Sequence, residues 1–216
     1  SRGIKLEEYD IVSLYMAIGG IPHYLELVPK GKSVAQIIDY LCFEPGGGLV
    51  GEFDAVFKSL FSNSDTHKLV VKSLAANRKG VTREELLKKC KLQQSGFFSN
   101  VLQELIESGF VTQYTPFGKK NRGSLFRLTD EYCRFYFKFI EDYKNQGAGT
   151  WSKLSSKQTY LSWAGFAFET VCLKHVKQIK MALGVGQVYS VNSSWASADA
   201  QIDLIIDRDD NRINLC

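Results

Sequence analysis

One short stretch constrains this chain more than any other: Thr82-Arg83-Glu84-Glu85. A Thr hydroxyl followed three residues later by Glu lets each side chain satisfy the other residue's backbone N–H, which fixes a helix start at this point. With that start in place the neighbouring periodicities fall into order. A helix is expected before it, from about Thr66 to Asn77 and ended by Gly80, and the capped helix runs through Cys90. After Lys91 to Gln94, a third helix from about Ser95 to Ser108 places Phe98, Val101, Leu102, Leu105 and Ile106 on one face, and Gly109 closes it. Strand Phe110 to Thr115, the polar turn Gly118-Lys119-Lys120-Asn121-Arg122-Gly123 and strand Leu125 to Thr129 then make a hairpin. Helix, helix, helix, hairpin over residues 66–130 is the order of a winged helix-turn-helix.

The flanking segments read differently. Residues 1–64 predict a small helical subdomain: a helix from about Leu6 to Ile18 closed by Gly19-Gly20, a Pro22 that begins the next element, and two further helices. Ser33 to Tyr40 sets Val34, Ile37, Ile38 and Leu41 on one face, and Leu49 to Phe61 does so with Phe53, Phe57, Leu60 and Phe61. Asp130 is placed to cap a helix carrying Tyr132, Phe135, Tyr136, Phe137, Phe139 and Tyr143. Aromatics on nearly every side imply burial between two bodies, so this helix is expected to be a spine; a base-stacking platform is the alternative. Asn145 to Lys157, rich in Gly, Ser, Thr and Gln, reads as a linker. A helix from about Tyr160 to Leu183 should come next, then strands at Gln187 to Val191, Gln201 to Ile206 and Ile213 to Cys216. The fold class is mainly α with α+β parts, in three units: 1–64, 65–144 with the aromatic connecting helix, and a partial α/β unit over 145–216.

Composition sets outer bounds. The formal charge of +4, from 27 basic and 23 acidic residues, permits contact with nucleic acid only through a local patch. Cys42, Cys90, Cys133, Cys172 and Cys216 lie far apart without metal-ligand spacing and are expected to be reduced, in a soluble, cytoplasmic protein. No stretch approaches the roughly 18 uncharged apolar residues of a membrane span, so no membrane partner is expected. Ser1 is not an initiator Met and Ile213-Asn214-Leu215-Cys216 breaks off in a strand-like run, so we expect a piece of a longer polypeptide. No G-x-x-x-x-G-K-[ST] occurs, and Gly184-Val185-Gly186 comes after a helix rather than a strand, so neither nucleotide phosphates nor a dinucleotide has an expected cradle.

The candidate nucleic-acid contacts are local. Lys119, Lys120 and Arg122 lie between two glycines at the hairpin tip, suited to a phosphate backbone. Lys88, Lys89 and Lys91 add charge just before the third helix, whose outer side offers Gln94, Ser95, Ser99, Asn100 and Gln103 to base edges or phosphates. Glu104 and Glu107, toward its far end, would repel phosphate. The same residues are equally those that an ordinary solvated face of a protein-packing module carries.

The ordered features resemble the C-terminal part of a prokaryotic family of AAA+-type ATPases, whose tail carries a winged helix and then a PD-(D/E)XK nuclease-like domain. Gly19-Gly20-Ile21-Pro22-His23-Tyr24-Leu25 resembles the G-G-I-P-x-Y-L signature of the family's helical lid, with Glu52 and Phe61 where its E…LF pattern falls. Phe135-Tyr136-Phe137 after Asp130 resembles its D-x-x-x-x-F-W-F segment, and Gly165-Phe166-Ala167-Phe168-Glu169 its G-x-x-F-E. The likeness spans almost the whole chain. It implies a parent protein with ATP and Mg, whose N-terminal ATPase core lies outside this sequence. It also implies that Asp203 matches the first metal-holding Asp of the nuclease-like fold and Glu169 its auxiliary acid, with an acidic-x-Lys expected directly after Cys216. His175, six residues after Glu169, could face the same site, or be an ordinary packed or surface histidine beside the stripe marked by Cys172 and Val176. Read from spacing alone, Asp203 is a strand-edge carboxylate and Glu169 a helix-surface charge.

Three functions are compatible with these features: a regulatory tail that contacts double-stranded DNA and is not itself catalytic; part of a metal-dependent nuclease completed by residues beyond 216; or a protein-interaction scaffold, with an oligomer left open. A third helix buried within the fold would favour the scaffold over DNA readout.

Overall fold

The structure, a computed structural model, describes residues 4–77, 79–119, 123–197 and 199–216. It is a mixed α/β fold in which helix predominates and two small antiparallel sheets are inserted. Seven helices come first: α1 Glu8–Ile18, α2 Pro22–Glu26, α3 Val34–Cys42, α4 Glu52–Leu60, α5 Ser64–Ala75, α6 Arg83–Cys90 and α7 Gly96–Glu107. The hairpin of β1 Val111–Tyr114 and β2 Leu125–Leu128 is next, paired from Val111 with Leu128 to Tyr114 with Leu125. The aromatic run is α8 Glu131–Phe135, a π-helical segment Tyr136–Ile140 and α9 Glu141–Tyr143. The chain ends with α10 Thr150–Ser155, α11 Gln158–Lys174, α12 Val176–Ala182 and the strands β3 Ser190–Ala196, β4 Gln201–Arg208 and β5 Arg212–Leu215, in sheet order β3-β4-β5.

Local chemistry accounts for most boundaries. Thr82 accepts from Glu85 N while Glu85 receives Thr82 N–H at 2.8 Å, the expected reciprocal cap. Ser33 and Gln36 form a second such box at the start of α3. Asp130 caps α8 through Cys133 N, and Gly19 ends α1 in a left-handed turn (φ +70°) that a side chain would strain. α4 lacks a side-chain cap of its own. Instead the Tyr132 hydroxyl, from α8, accepts from Phe53 N at 3.1 Å and donates to Leu49 O at 2.6 Å, satisfying both groups in the interior.

The core is one continuous cluster from Leu14 to Ala167, crossing the boundaries expected near 64 and 145. Its centre is the aromatic run. Tyr136 stacks on Phe53 of α4 at 4.5 Å, while Phe135 and Phe139 meet Trp151 of α10 (5.0 and 5.2 Å) and Trp163 of α11 (5.4 and 5.3 Å). The run is therefore buried on two faces, with Tyr132, Phe135 and Phe139 each almost fully enclosed. A second, small cluster of Val176, Leu204 and Ile206 joins α12 to β4.

Three sequence expectations change. Residues 145–157, expected as a linker, contain α10, whose N-terminus is held from afar: Asp39 in α3 accepts from Gly149 N (2.9 Å) and Trp151 N (2.6 Å). Composition could not reveal a helix capped by a residue more than a hundred positions away. The long helix expected to Leu183 is interrupted at His175, whose Nδ1 donates to Val171 O at 2.8 Å and competes for a carbonyl the helix would use. The first strand of the last sheet lies later than expected, beginning at Ser190 and reaching Ala196. No helix among the described residues is long and apolar enough to cross a membrane. All five cysteines are free of disulfides, with Cys42, Cys90 and Cys133 buried.

Asp39 is buried and its carboxylate receives two backbone donors. Replacing it with Ala strands both N–H groups, so Asp39→Ala should lower stability by about 2–4 kcal/mol. Urea unfolding would show this as an earlier midpoint with an unchanged slope.

Candidate nucleic-acid interface and acidic cleft

The third helix of the expected module shows its polar side to solvent. Phe98, Val101, Leu102 and Leu105 of α7 are buried, whereas Gln94, Ser95, Ser99, Asn100 and Gln103 are all exposed. Ser95 is its N-cap, accepting from Phe98 N at 3.2 Å. Ser99 receives Arg83 Nη2 at 2.8 Å, and the same guanidinium lies 5.0 Å over the Phe98 ring, so α6 delivers a cation to the first turn of α7. A Cβ added at Gly96 would meet nothing, so space beside that residue in the first turn is open. Sequence reasoning misses this use of Arg83, because the residue sits inside the capping box and reads only as part of it.

Lys88 and Lys89 occupy the last turn of α6 and Lys91 its left-handed end (φ 53°). All three are exposed, and none takes part in the ion pairs among the described residues. Of the two acids expected to repel phosphate, Glu104 is turned to His67 of α5, 2.7 Å from Nε2, and His67 itself stacks on Phe61 at 4.0 Å. Glu107 accepts from Gln103 Nε2 at 2.8 Å, which engages one of the candidate base-reading amides. At the hairpin tip Lys119 is exposed; Lys120 and Arg122 lie outside the described residues. The hairpin is not a free arm: Phe117 N donates to Ser194 O of β3 at 2.8 Å.

Glu169 and Asp203, from α11 and β4, line one cleft of about 340 Å³ between the hairpin and the three-stranded sheet, together with Tyr114, Lys119 and Arg127. Arg127 of β2 lies 4.8 Å over the Tyr114 ring and places Nη1 3.3 Å from Glu169 Oε1. Burial pushes the Glu169 carboxyl above the usual range and Asp203 adds to the rise, against the lowering by Arg127 and Arg134. Burial likewise raises the Tyr114 phenol, with Arg127 opposing. Asp203 is engaged by Gln201 Nε2. His175 instead meets Tyr15 edge-on at 5.7 Å.

As a metal centre this donor set is incomplete. A hard divalent cation wants six or more oxygens, and here one carboxylate is committed to a guanidinium and the other to an amide. No group of three or more His, Cys, Asp and Glu among the described residues is placed to hold a metal ion. The signal that could have found Arg127 is the hairpin register, which sets it diagonal to Tyr114.

No family model, curated protein or solved structure matches this chain.

The opposing influences on Glu169 give a direct test. Asp203→Asn removes a neighbouring negative charge and should lower the Glu169 pKa, whereas Arg127→Ala should raise it. Carboxyl-carbon NMR titration of both variants reads the two directions; equal values in the two variants would show that the side chains do not face one another.

Proposed function

We propose that this chain is a duplex-DNA docking module: a winged helix, within the C-terminal regulatory part of an AAA+-type ATPase, that is not catalytic by itself. The observation that carries the reading is the exposed polar face of α7, preceded by three exposed lysines at the end of α6 that join no ion pair among the described residues. A helix start flanked by cations suits a groove edge, because the positive end of its dipole and the lysines attract the same phosphates. The order of three helices and an antiparallel hairpin supports the winged-helix assignment, and the ordered Gly19–Leu25, Phe135–Phe137 and Gly165–Glu169 motifs support the ATPase one. ATP and Mg then belong to the remainder of such a protein.

The scaffold reading has one observation of its own, Phe97, which is 48% exposed at the start of α7. It is the weaker one, since the polar face beside it is not buried within the fold. A nuclease reading, with Asp203 and Glu169 holding a metal in a longer chain, is supported less well because Glu169 is paired with Arg127.

Fluorescence anisotropy with a generic duplex at several salt concentrations tests the proposal. Binding should weaken with salt, and Lys88→Ala/Lys89→Ala/Lys91→Ala should lower the log–log salt slope by about 2–3, roughly one for each phosphate no longer neutralised. Replacing Lys119, Lys120 and Arg122 together should act in the same direction. A duplex bound equally well by both triple variants, or not bound at low salt, would overturn the docking role and favour the scaffold.

A further inference from the structure

A cavity of about 320 Å³ opens between α5, α11 and the π-helical segment, and it shares no lining residue with the acidic cleft. Its inner wall holds two polar side chains that the fold leaves unfinished. Arg134 is 7% exposed and Trp163 5% exposed, and neither Arg134 Nε nor Trp163 Nε1 has a hydrogen-bond partner among the described residues. Arg134 donates through Nη2 to Leu128 O, yet it takes part in none of the ion pairs among the described residues. Burial, with Arg127 adding repulsion, brings its pKa down to about 10, although the Glu169, Glu131 and Asp130 carboxylates pull it the other way without forming an ion pair with it among the described residues.

The rest of the cavity is selective. Phe137, Phe166, Ala75 and Ala76 give it apolar walls. Lys72 and Lys138 stand with Glu141 on the lining, and Lys72 is paired with Glu141 at 2.7 Å. Three cations against one carboxylate leave two net positive charges. The π-helical segment contributes Phe137 and Lys138 directly; its widened turn breaks the regular helix, as π-bulges at binding sites do.

We propose that this cavity binds a small aromatic phosphate monoester, its dianionic head beside Arg134 and Lys138 and its ring between Phe137 and Phe166. A monoester carries close to two negative charges near pH 7, which matches the charge of the lining. The volume lies at the lower end of small-molecule sites and suits a single ring with its phosphate. Desolvated arginine recognises such a head well, because a counter-anion relieves the cost of its burial.

Phenyl phosphate is the probe, and the Trp163 indole N–H resonance, assigned by its loss in Trp163→Phe, is the reporter. Phenyl phosphate should move that resonance saturably, with Kd in the millimolar range or tighter, and inorganic phosphate should bind at least about tenfold more weakly. Lys138 is exposed, so Lys138→Glu and Lys138→Ala should keep the wild-type Tm while weakening phenyl phosphate, the charge reversal by about tenfold or more. The triple variant at Lys88, Lys89 and Lys91 should bind phenyl phosphate as the unsubstituted chain does, which separates this site from duplex docking. An unmoved indole resonance, equal affinity in Lys138→Glu, or inorganic phosphate binding as tightly as phenyl phosphate would each overturn the proposal.

Discussion

The packing of Phe135 and Phe139 against Trp151 and Trp163 is the contact on which the other elements depend. Each pair meets at 5.0 to 5.4 Å with rings tilted or edge-on, the arrangement aromatic quadrupoles favour. Because these rings come from different elements, their burial joins the aromatic run to α10 and α11 at once. On the opposite side Tyr132 and Tyr136 meet α4, through a hydroxyl that completes its first turn and a ring stacked on Phe53. One run of side chains thus serves as the organising centre of a core built by helix-on-helix packing.

A π-helical segment, Tyr136–Ile140, lies within this run that is buried on two sides. In a regular α-helix, Phe135 and Phe139 share a face by their spacing of four, and Tyr132 and Tyr136 share another. Phe137, inside the wider turn from Tyr136 to Ile140, lies off these two faces and is only partly buried, packed edge-on against Phe53 at 4.8 Å. The same segment therefore serves the interior with one set of residues and a solvent-facing cavity with the next. Glu131 and Lys174, paired at 2.7 Å with the acid 3% exposed, fix α8 to α11 beneath it. Removing the exposed Lys174 would leave the buried Glu131 carboxylate without this partner, which restrains the relative placement of the two helices.

The features legible in the sequence are local ones. Thr82 with Glu85 and Asp130 with Cys133 act over three residues, and both caps stand where spacing puts them. Lys88, Lys89 and Lys91 are legible as exposed because they lie at the end of a short, well-delimited helix. The chief failure is long-range. α10 sits in a stretch whose Gly and Ser content suggests a loop, but Asp39 and the aromatic cluster supply the stabilisation that local propensity lacks. The break at His175 goes with a local bond from one ring nitrogen to the Val171 carbonyl, which no periodicity reports. Arg127, Arg134 and Trp163 are silent in the sequence because their meaning lies in missing or distant partners: a hairpin register for the first, orphaned donors for the others.

The bond from Phe117 N to Ser194 O bears on how the hairpin can meet a large partner. A hairpin tip in solution samples many orientations and must surrender that freedom on association. Here the approach to the tip is anchored to β3 as well as to its own strands, so the arm is restrained in advance up to Phe117. A surface arriving at Lys119 would meet a lever already seated at its base, and less ordering entropy would remain to be surrendered on association.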